Sequence, residues 1–328
     1  MMRRVAKPEG PFNIIIEEVA KPELSPQEIL VRSERTLISR GSEIWSRYIV
    51  EEAIDPAIMG YSQAGVVAEI GDEVTGVEVG DRVATLRPHA EFVVVDTQRH
   101  AKDMVAIPDD VSAEAATFWP LATSAVRWMK ATKVHKGQTM VVLGQGLVGC
   151  ICMQIAKRVH GAHIIAVDAL PLRCELAEKL GADEVIDVSV EDPVEAVNKL
   201  TEDEGADYVI EAVGGRAGAA AFLQAQDMVK RGGLIQVLGL YEDEPLPLDS
   251  SKIQGKRLLG GMIDVDVETV IEAGEQAMGH LRAGVVATEE MVTHRMPFTE
   301  AAAAFDLLYN KLGETLAVTL EWDQESAS

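Results

Sequence analysis

Met140-Val141-Val142-Leu143-Gly144-Gln145-Gly146-Leu147-Val148-Gly149 is the stretch on which the reading of this chain turns. Its first four residues form an unbroken apolar run, as expected of a strand buried on both faces. A Gly-x-Gly-x-x-Gly follows at once, and Leu147 opens an apolar stretch to Val159 that reads as a helix. Alone, the glycine pattern is common. Between a strand and a helix it is a dinucleotide-binding fingerprint. Gly144 permits the tight turn, Gly146 lets a pyrophosphate approach the backbone, and Gly149 lets helix pack on strand. Leu147 and Val148 begin the helix, where free N–H groups and the positive dipole end face the phosphates.

The pattern continues downstream. His163 to Val167 is a second strand, and it ends at Asp168, about 20 residues past the glycines, where the fingerprint expects an acid. A carboxylate there accepts the ribose hydroxyls of NAD and repels the 2′-phosphate of NADP, so NAD is the expected cofactor. A plainer reading has Asp168 only capping the helix Leu172 to Leu180. Arg173 lies a helical turn beyond, no basic residue follows Asp168 directly, and Arg173 is placed with the cofactor residues. Strands Glu184 to Asp187, Asp207 to Glu211 and Gly233 to Leu238 alternate with helices 172–180, 193–200 and 217–229. Strict alternation with short apolar strands implies a parallel, doubly wound sheet. Val213-Gly214 and Leu238-Gly239 lie at strand ends, where such sheets bind ligands near ribose and nicotinamide; plain turn glycines account for each loop equally well. Gly137 to Ala156 has the length of a membrane span, but three glutamines and four glycines interrupt it; strand, turn and helix explain it better.

On the N-terminal side the rhythm is different. Short β-branched runs (Phe12 to Val19, Glu28 to Ser33, Gly65 to Ile70, Glu91 to Asp96) are separated by turn residues, which suggests a barrel-like or sandwich domain. The C-terminal part has helices at 267–283 and 299–309. The alternating Thr315 to Trp322 is placed to return to the first domain as a strand. The nucleotide domain is then an insertion: residues 1–120 and 263–328 make one domain and 121–262 the other.

Composition narrows the partners. The 328 residues hold 30 Lys and Arg against 53 Asp and Glu, a net charge of −23. That charge opposes nucleic acid and anionic membranes. Hydrophobic residues at 47% exclude a disordered chain. Cys150, Cys152 and Cys174 form no disulfide framework and no metal-binding spacing, and they read as buried core residues. Met1-Met2-Arg3-Arg4 has no apolar stretch behind it, unlike a signal peptide. A cytoplasmic protein acting on a small molecule is the expectation.

Several motifs together resemble the medium-chain dehydrogenase/reductase family, of the zinc alcohol and polyol dehydrogenase type. They are Gly65-Val66-Val67 with Ile70-Gly71, Val79-Gly80-Asp81-Arg82-Val83, the glycine fingerprint, Leu180-Gly181-Ala182-Asp183, Glu211-Ala212-Val213-Gly214, and His294-Arg295-Met296-Pro297-Phe298 running into 301–305. The resemblance covers nearly the whole chain. It implies an α/β protein in which a GroES-like catalytic domain surrounds a Rossmann domain, with the active site in a cleft between them.

The family's zinc chemistry does not carry over. Arg40-Gly41-Ser42-Glu43 stands where zinc members have Cys-Gly-Thr/Ser-Asp, so Arg40 replaces the metal cysteine. Gly60-Tyr61-Ser62 replaces Gly-His-Glu, and Trp119-Pro120-Leu121 replaces Glu-Pro-Leu. The four-cysteine structural lobe is shortened to a link between Val83 and Ala90. Arg, Tyr, Ser and Trp do not supply zinc ligands, so no metal is expected. A side chain must then handle the proton. Tyr61 is the first candidate acid/base, with Arg40 as the cation lowering its pKa. Ser42 matches the family's proton-relaying Ser/Thr, and His89 in the short link is a further candidate. Arg87 and Trp119 are assigned to the substrate cleft. The plainer reading has Tyr61 and Trp119 filling the metal's volume and Arg40 paired to Glu43.

The expected activity is zinc-independent, NAD-dependent hydride transfer on a polar secondary alcohol or ketone, such as a sugar or polyol. The alternatives are an NAD(P)H-dependent quinone or enone reductase, and a sensor that binds NAD without turnover. The resemblance also implies a homodimer, paired through the edge of the Rossmann sheet.

Overall fold

A computed structural model describes residues 1–98, 101–241, 244–261 and 266–322. The chain divides into two units. One takes Met1–Thr123, the stretch that ends at Gly284, and the chain from Val292. The other runs from Ser124 and also takes Val285–Met291. The expected first boundary, after residue 120, thus differs by three residues from the division after Thr123. The expected second boundary, between 262 and 263, lies outside the described residues. Val285–Met291 was not expected with the nucleotide unit. It belongs there because the Gln154 side chain accepts from Ala287 N at 2.8 Å and donates to Met291 Sδ at 3.5 Å.

The second unit carries six parallel strands. Across the sheet they run Glu184–Asp187, His163–Asp168, Thr139–Leu143, Ala206–Glu211, Val229–Val237 and Arg257–Gly260. Strand order reverses beside Thr139–Leu143, so the glycine turn after Leu143 sits at the topological switch point, where open sheets bind ligands. Val141, Leu143, Ile165, Val167, Val209 and Ile235 fill one face of the sheet with Phe222, Ala225 and Met228 of the helix Gly218–Met228. This unit forms as it does because its strands are apolar on consecutive residues: Met140, Val141 and Val142 are each fully buried, one side chain to each face in turn.

The first unit is built on a mixed sheet. Its strands run Val292–Pro297, Ala317–Glu321, Glu28–Ile38, Gln63–Ile70, Arg82–Thr85 and Met104–Ala106, and Phe92–Asp96 also pairs with Glu28–Ile38. Ala317–Glu321 does return to this unit, antiparallel to Glu28–Ile38 with Val318 opposite Ile38. Between Glu28–Ile38 and Gln63–Ile70 lies a nine-residue wide-turned helix, Arg40–Tyr48. Its Ile49 N–H reaches back to Ile44 O at 3.3 Å, an i→i−5 bond. Such π-type turns are uncommon and concentrate at functional sites. No helix among the described residues is long and apolar enough to cross a membrane.

Candidate active site

The glycine turn shows which of its glycines serve the chain itself. A Cβ on Gly149 would lie 1.9 Å from Gly144 O, so the helix Leu147–Arg158 packs against the turn only with glycine there. Gly144 has φ +87° and would clash with Val213. A Cβ on Gly146 meets nothing within 4 Å. The protein's own packing does not need a glycine at 146, and the open approach to the helix N-terminus is where a pyrophosphate fits. The residues present therefore fit a dinucleotide.

Asp168 is 7% exposed. Its Oδ2 accepts from Gln145 N at 2.7 Å, and its Oδ1 accepts from Ala169 N at 2.8 Å and Leu170 N at 2.9 Å. The carboxylate ties the glycine turn to the end of the second strand; it does not cap the following helix, whose N-cap is Leu170 with no side-chain bond. A carboxylate has about four acceptor positions, so these three amides leave room for a ribose hydroxyl. Arg173 Nη1 lies 3.6 Å from Asp168 Oδ2, while its Nε is buried without a hydrogen-bond partner.

The later loops read differently from the glycine turn. A Cβ on Gly214 would lie 2.4 Å from Leu240 O, and one on Gly239 would lie 2.6 Å from Val213 O. These glycines let two loops touch, so the packing reading suffices for them. Glu211 anchors the pair: its Oε1 accepts from Val213 N at 2.8 Å, and its backbone O accepts from Leu238 and Gly239. The three cysteines are buried. Burial pushes the Cys150 thiol up to about 12 and that of Cys174 to about 11, and raises Cys152 too, so none is a thiolate at neutral pH.

In the first unit the candidate residues meet around the helix Arg40–Tyr48. Tyr61 Oη donates to Ser39 Oγ at 2.6 Å. Ser39 N donates to Glu43 Oε1 at 2.8 Å, and His89 Nε2 lies 2.8 Å from Glu43 Oε2. His89 and Glu43 have no exposed side-chain surface. His89 fits there because residue 60 is glycine: a Cβ at 60 would lie 2.7 Å from the imidazole. His89, read from the sequence as a loop residue, is thus core. Burial raises the Tyr61 phenol above its ordinary 10.0; hydrogen bonds to Ser39 and Ser42 pull it down, Glu43 pushes it up, and Arg47 pulls it down.

Several expected pairings are replaced. The contacts of Arg40 lead to other groups than Tyr61. Its Nε donates to Leu308 O at 3.2 Å and its guanidinium sits 5.9 Å from the Trp45 ring. The cation that lowers the Tyr61 phenol is Arg47, further along the same helix. Glu43 engages His89 and the Ser39 amide. Arg87 is held by Asp103 at 3.2 Å and donates to Val94 O at 2.9 Å, so it braces the short link. Trp119 is 3% exposed and donates to Gly274 O at 2.9 Å, with its ring where a Cβ on Gly274 would go. Its ring packs inside the first unit. Ser39, Glu43 as a partner of His89, and Arg47 were not singled out from the sequence. A serine before a helix signals an N-cap, but here its hydroxyl serves Tyr61 and makes no cap bond. A zinc site needs three protein ligands. Among the described residues no group of three His, Cys, Asp or Glu is placed to hold a metal ion, and His89 and Glu43 face each other. Among the described residues this pair falls short of three ligands.

Two family models match the chain: "Alcohol dehydrogenase GroES-like domain" over residues 25–115 and "Zinc-binding dehydrogenase" over residues 148–274. These findings support the zinc-type medium-chain dehydrogenase family. The chain is 27% identical to an L-threonine 3-dehydrogenase of Bacillus velezensis, over 94% of this chain and 95% of that protein. It is also 27% identical to a sorbitol dehydrogenase of Bacillus subtilis, over 93% of each. Among solved structures, alcohol dehydrogenase TADH from Thermus sp. ATN1 superposes with a TM-score of 0.82 at 26% identity, covering 98% of this chain and 99% of that one. The matches support an alcohol dehydrogenase-like oxidoreductase that uses a nicotinamide cofactor.

Proposed function

We propose that the chain is a zinc-independent, NAD-dependent oxidoreductase that interconverts a polar secondary alcohol and its ketone. The observation carrying this reading is the Tyr61–Ser39 bond of 2.6 Å, in a cluster whose side chains offer hydrogen-bonding protons and no zinc ligand set. Bound NAD would accept the hydride in alcohol oxidation, and its reduced form, NADH, would donate it in ketone reduction. Asp168, placed against the glycine turn, favours NAD over NADP because a 2′-phosphate would meet its negative charge.

In the direction of ketone reduction, Tyr61 is the proton donor. Burial keeps its phenol protonated at neutral pH. On meeting a carbonyl oxygen the phenol turns its O–H from Ser39 to that oxygen, and the Ser39 hydroxyl rotates to donate to the phenol. The phenol proton passes to the alkoxide as the alcohol forms. Glu43 and His89 are positioning residues: Glu43 holds the Ser39 backbone, and His89 holds Glu43. This departs from a standing phenolate stabilised by Arg40, whose Nε donates to Leu308 O. We further propose that the enzyme is a homodimer.

The test is Tyr61→Phe. Loss of a positioned acid should lower kcat ~10²–10⁴-fold and leave NAD affinity intact; turnover within threefold of the parent eliminates the phenol as donor. Elemental analysis of purified protein should show no stoichiometric zinc, and a chelator should leave activity and stability unchanged. One zinc per chain overturns the metal-free reading.

A further inference from the structure

Lys7 is a buried cation held by backbone. The residue is 1% exposed. Its ammonium donates to Pro8 O at 3.1 Å, Gly10 O at 2.8 Å, Val50 O at 2.7 Å and Glu52 O at 2.8 Å. Among the described residues it makes no ion pair with a carboxylate. A charge taken out of water needs its hydration replaced. Rings of carbonyl dipoles do this for cations in selectivity filters, and the carbonyls around Lys7 Nζ have that arrangement. The distances lie in the ordinary N–H···O range. They are longer than the ~2.0–2.6 Å that magnesium and calcium require of oxygen, so the cage suits a primary ammonium group.

The cage joins two segments of the first unit. Pro8 and Gly10 supply one side; Val50 and Glu52, which follow the helix Arg40–Tyr48, supply the other. Backbone bonds run alongside: Ile54 N donates to Lys7 O at 2.9 Å, Gly10 N to Glu51 O at 2.8 Å, and Phe12 N to Tyr48 O at 2.7 Å. Phe12 has φ +62°, which bulky residues rarely adopt. Its ring packs on Tyr48 at 5.3 Å and on Tyr309 at 5.1 Å. The segment 8–12 thus lies across the end of the helix, and the Lys7 ammonium is bonded to both sides. The same helix carries Glu43, whose carboxylate meets Ser39 N and His89.

We propose that these four carbonyls form an ammonium-binding site, filled by the chain's own Lys7. Lys7 is thereby a positioning residue: it fixes the helix Arg40–Tyr48 and, through Glu43, the hydrogen-bonded cluster around Tyr61. The consequence for turnover rests on the dehydrogenase reading; the ammonium site does not.

Chemical rescue tests it. Lys7→Ala removes the stem and ammonium beyond Cβ, whose small-molecule equivalent is n-propylammonium. The full-length variant is melted, and its amide exchange followed by mass spectrometry, in n-propylammonium chloride, in tetramethylammonium chloride (the same charge without N–H donors) and in neither. The melting temperature should fall by about 3–10 °C. Exchange across 39–54 should quicken about 10- to 100-fold, while the strands at 139–143 and 163–168 keep the parent's protection. n-Propylammonium should restore both saturably, and tetramethylammonium neither. Lys7→Met, which fills the stem's space without a donor, should melt low and stay unrescued. With sorbitol or 2,3-butanediol as probe, Lys7→Ala should lower kcat for NAD reduction and leave KM for NAD in place. n-Propylammonium should raise kcat over the concentrations that restore the melt. The site is overturned if Lys7→Met melts with the parent, if n-propylammonium restores nothing, or if tetramethylammonium does as well. The positioning role is overturned if exchange quickens evenly over both units, or if kcat holds while exchange across 39–54 has quickened. Should Lys7→Ala fail to fold alone, folding in n-propylammonium and not in tetramethylammonium supports the site, and failure in both overturns it. A parent that reduces no NAD with either alcohol counts against the dehydrogenase reading, while melting and exchange still decide the ammonium site.

Discussion

Glu43 and His89 are 46 positions apart in the chain and meet at 2.8 Å with no exposed surface. Removing either partner leaves the other buried and unsatisfied, at a cost of ~1–3 kcal/mol. Glu43→Gln and His89→Gln should each lower stability by about that much in chemical denaturation. The double variant should lose clearly less than the sum; additivity within ~0.5 kcal/mol would show that the two do not act together. The Tyr61 phenol has a pH consequence of its own. Its acid form is the proposed donor, and burial raises its pKa above 10.0. Ketone reduction should therefore run flat through neutral pH and fall only in alkali, as the phenol ionises. A decline centred near neutrality would assign the proton to another group.

Within the strand–turn–helix element, two glycines separate packing from ligand binding. Gly149→Ala places a Cβ 1.9 Å from Gly144 O and should depress both the melting temperature and NAD affinity. Gly146→Ala meets nothing within 4 Å of its Cβ, and φ of −74° suits alanine, so the melting temperature should hold. NAD affinity alone should fall, by roughly tenfold for one impaired amide–phosphate contact. Equal melting losses in both variants would remove the argument that 146 is open for a ligand. At the second strand end, Asp168→Ser with Leu170→Arg should move preference toward NADP. A parent protein that binds NADPH more tightly than NADH contradicts the reading of Asp168.

For the whole molecule, one sheet edge and the net charge carry consequences. Arg257–Gly260 is the outer strand of the six-stranded sheet, and its Leu258 is 43% exposed. An unpaired edge with an apolar residue favours a symmetric partner. Light scattering should report a dimer at micromolar concentration, and Leu258→Lys should shift it toward monomer; a monomeric parent refutes the proposal. The net charge of −23 repels itself in the folded state. Salt shortens the screening length from about 10 Å at 0.1 M to about 3 Å at 1 M. The melting temperature should rise over that range, and a fall would mean that surface ion pairs outweigh the repulsion.

The nucleotide unit was legible in the chain because its information is local. Strand, turn and helix follow one another within 140–158, and the periodicity of each is written in consecutive residues. The return of Ala317–Glu321 to the first sheet was legible too, from its alternating pattern. The hydrogen-bonded cluster around Tyr61 was legible only as a set of residue types. Tyr61 stood out because it occupies a ligand position, but its partner Ser39 lies 22 residues away. That Arg40 is drawn off to Leu308 O depends on a contact 268 positions away in the chain. His89 looked like a loop histidine because burial there depends on the missing side chain of Gly60, a contact between distant segments. Periodicity and turn chemistry act between neighbours and can be read along a chain. Which cation faces a phenol, and which histidine is covered, are decided by approach across the fold, and only the tertiary structure states them.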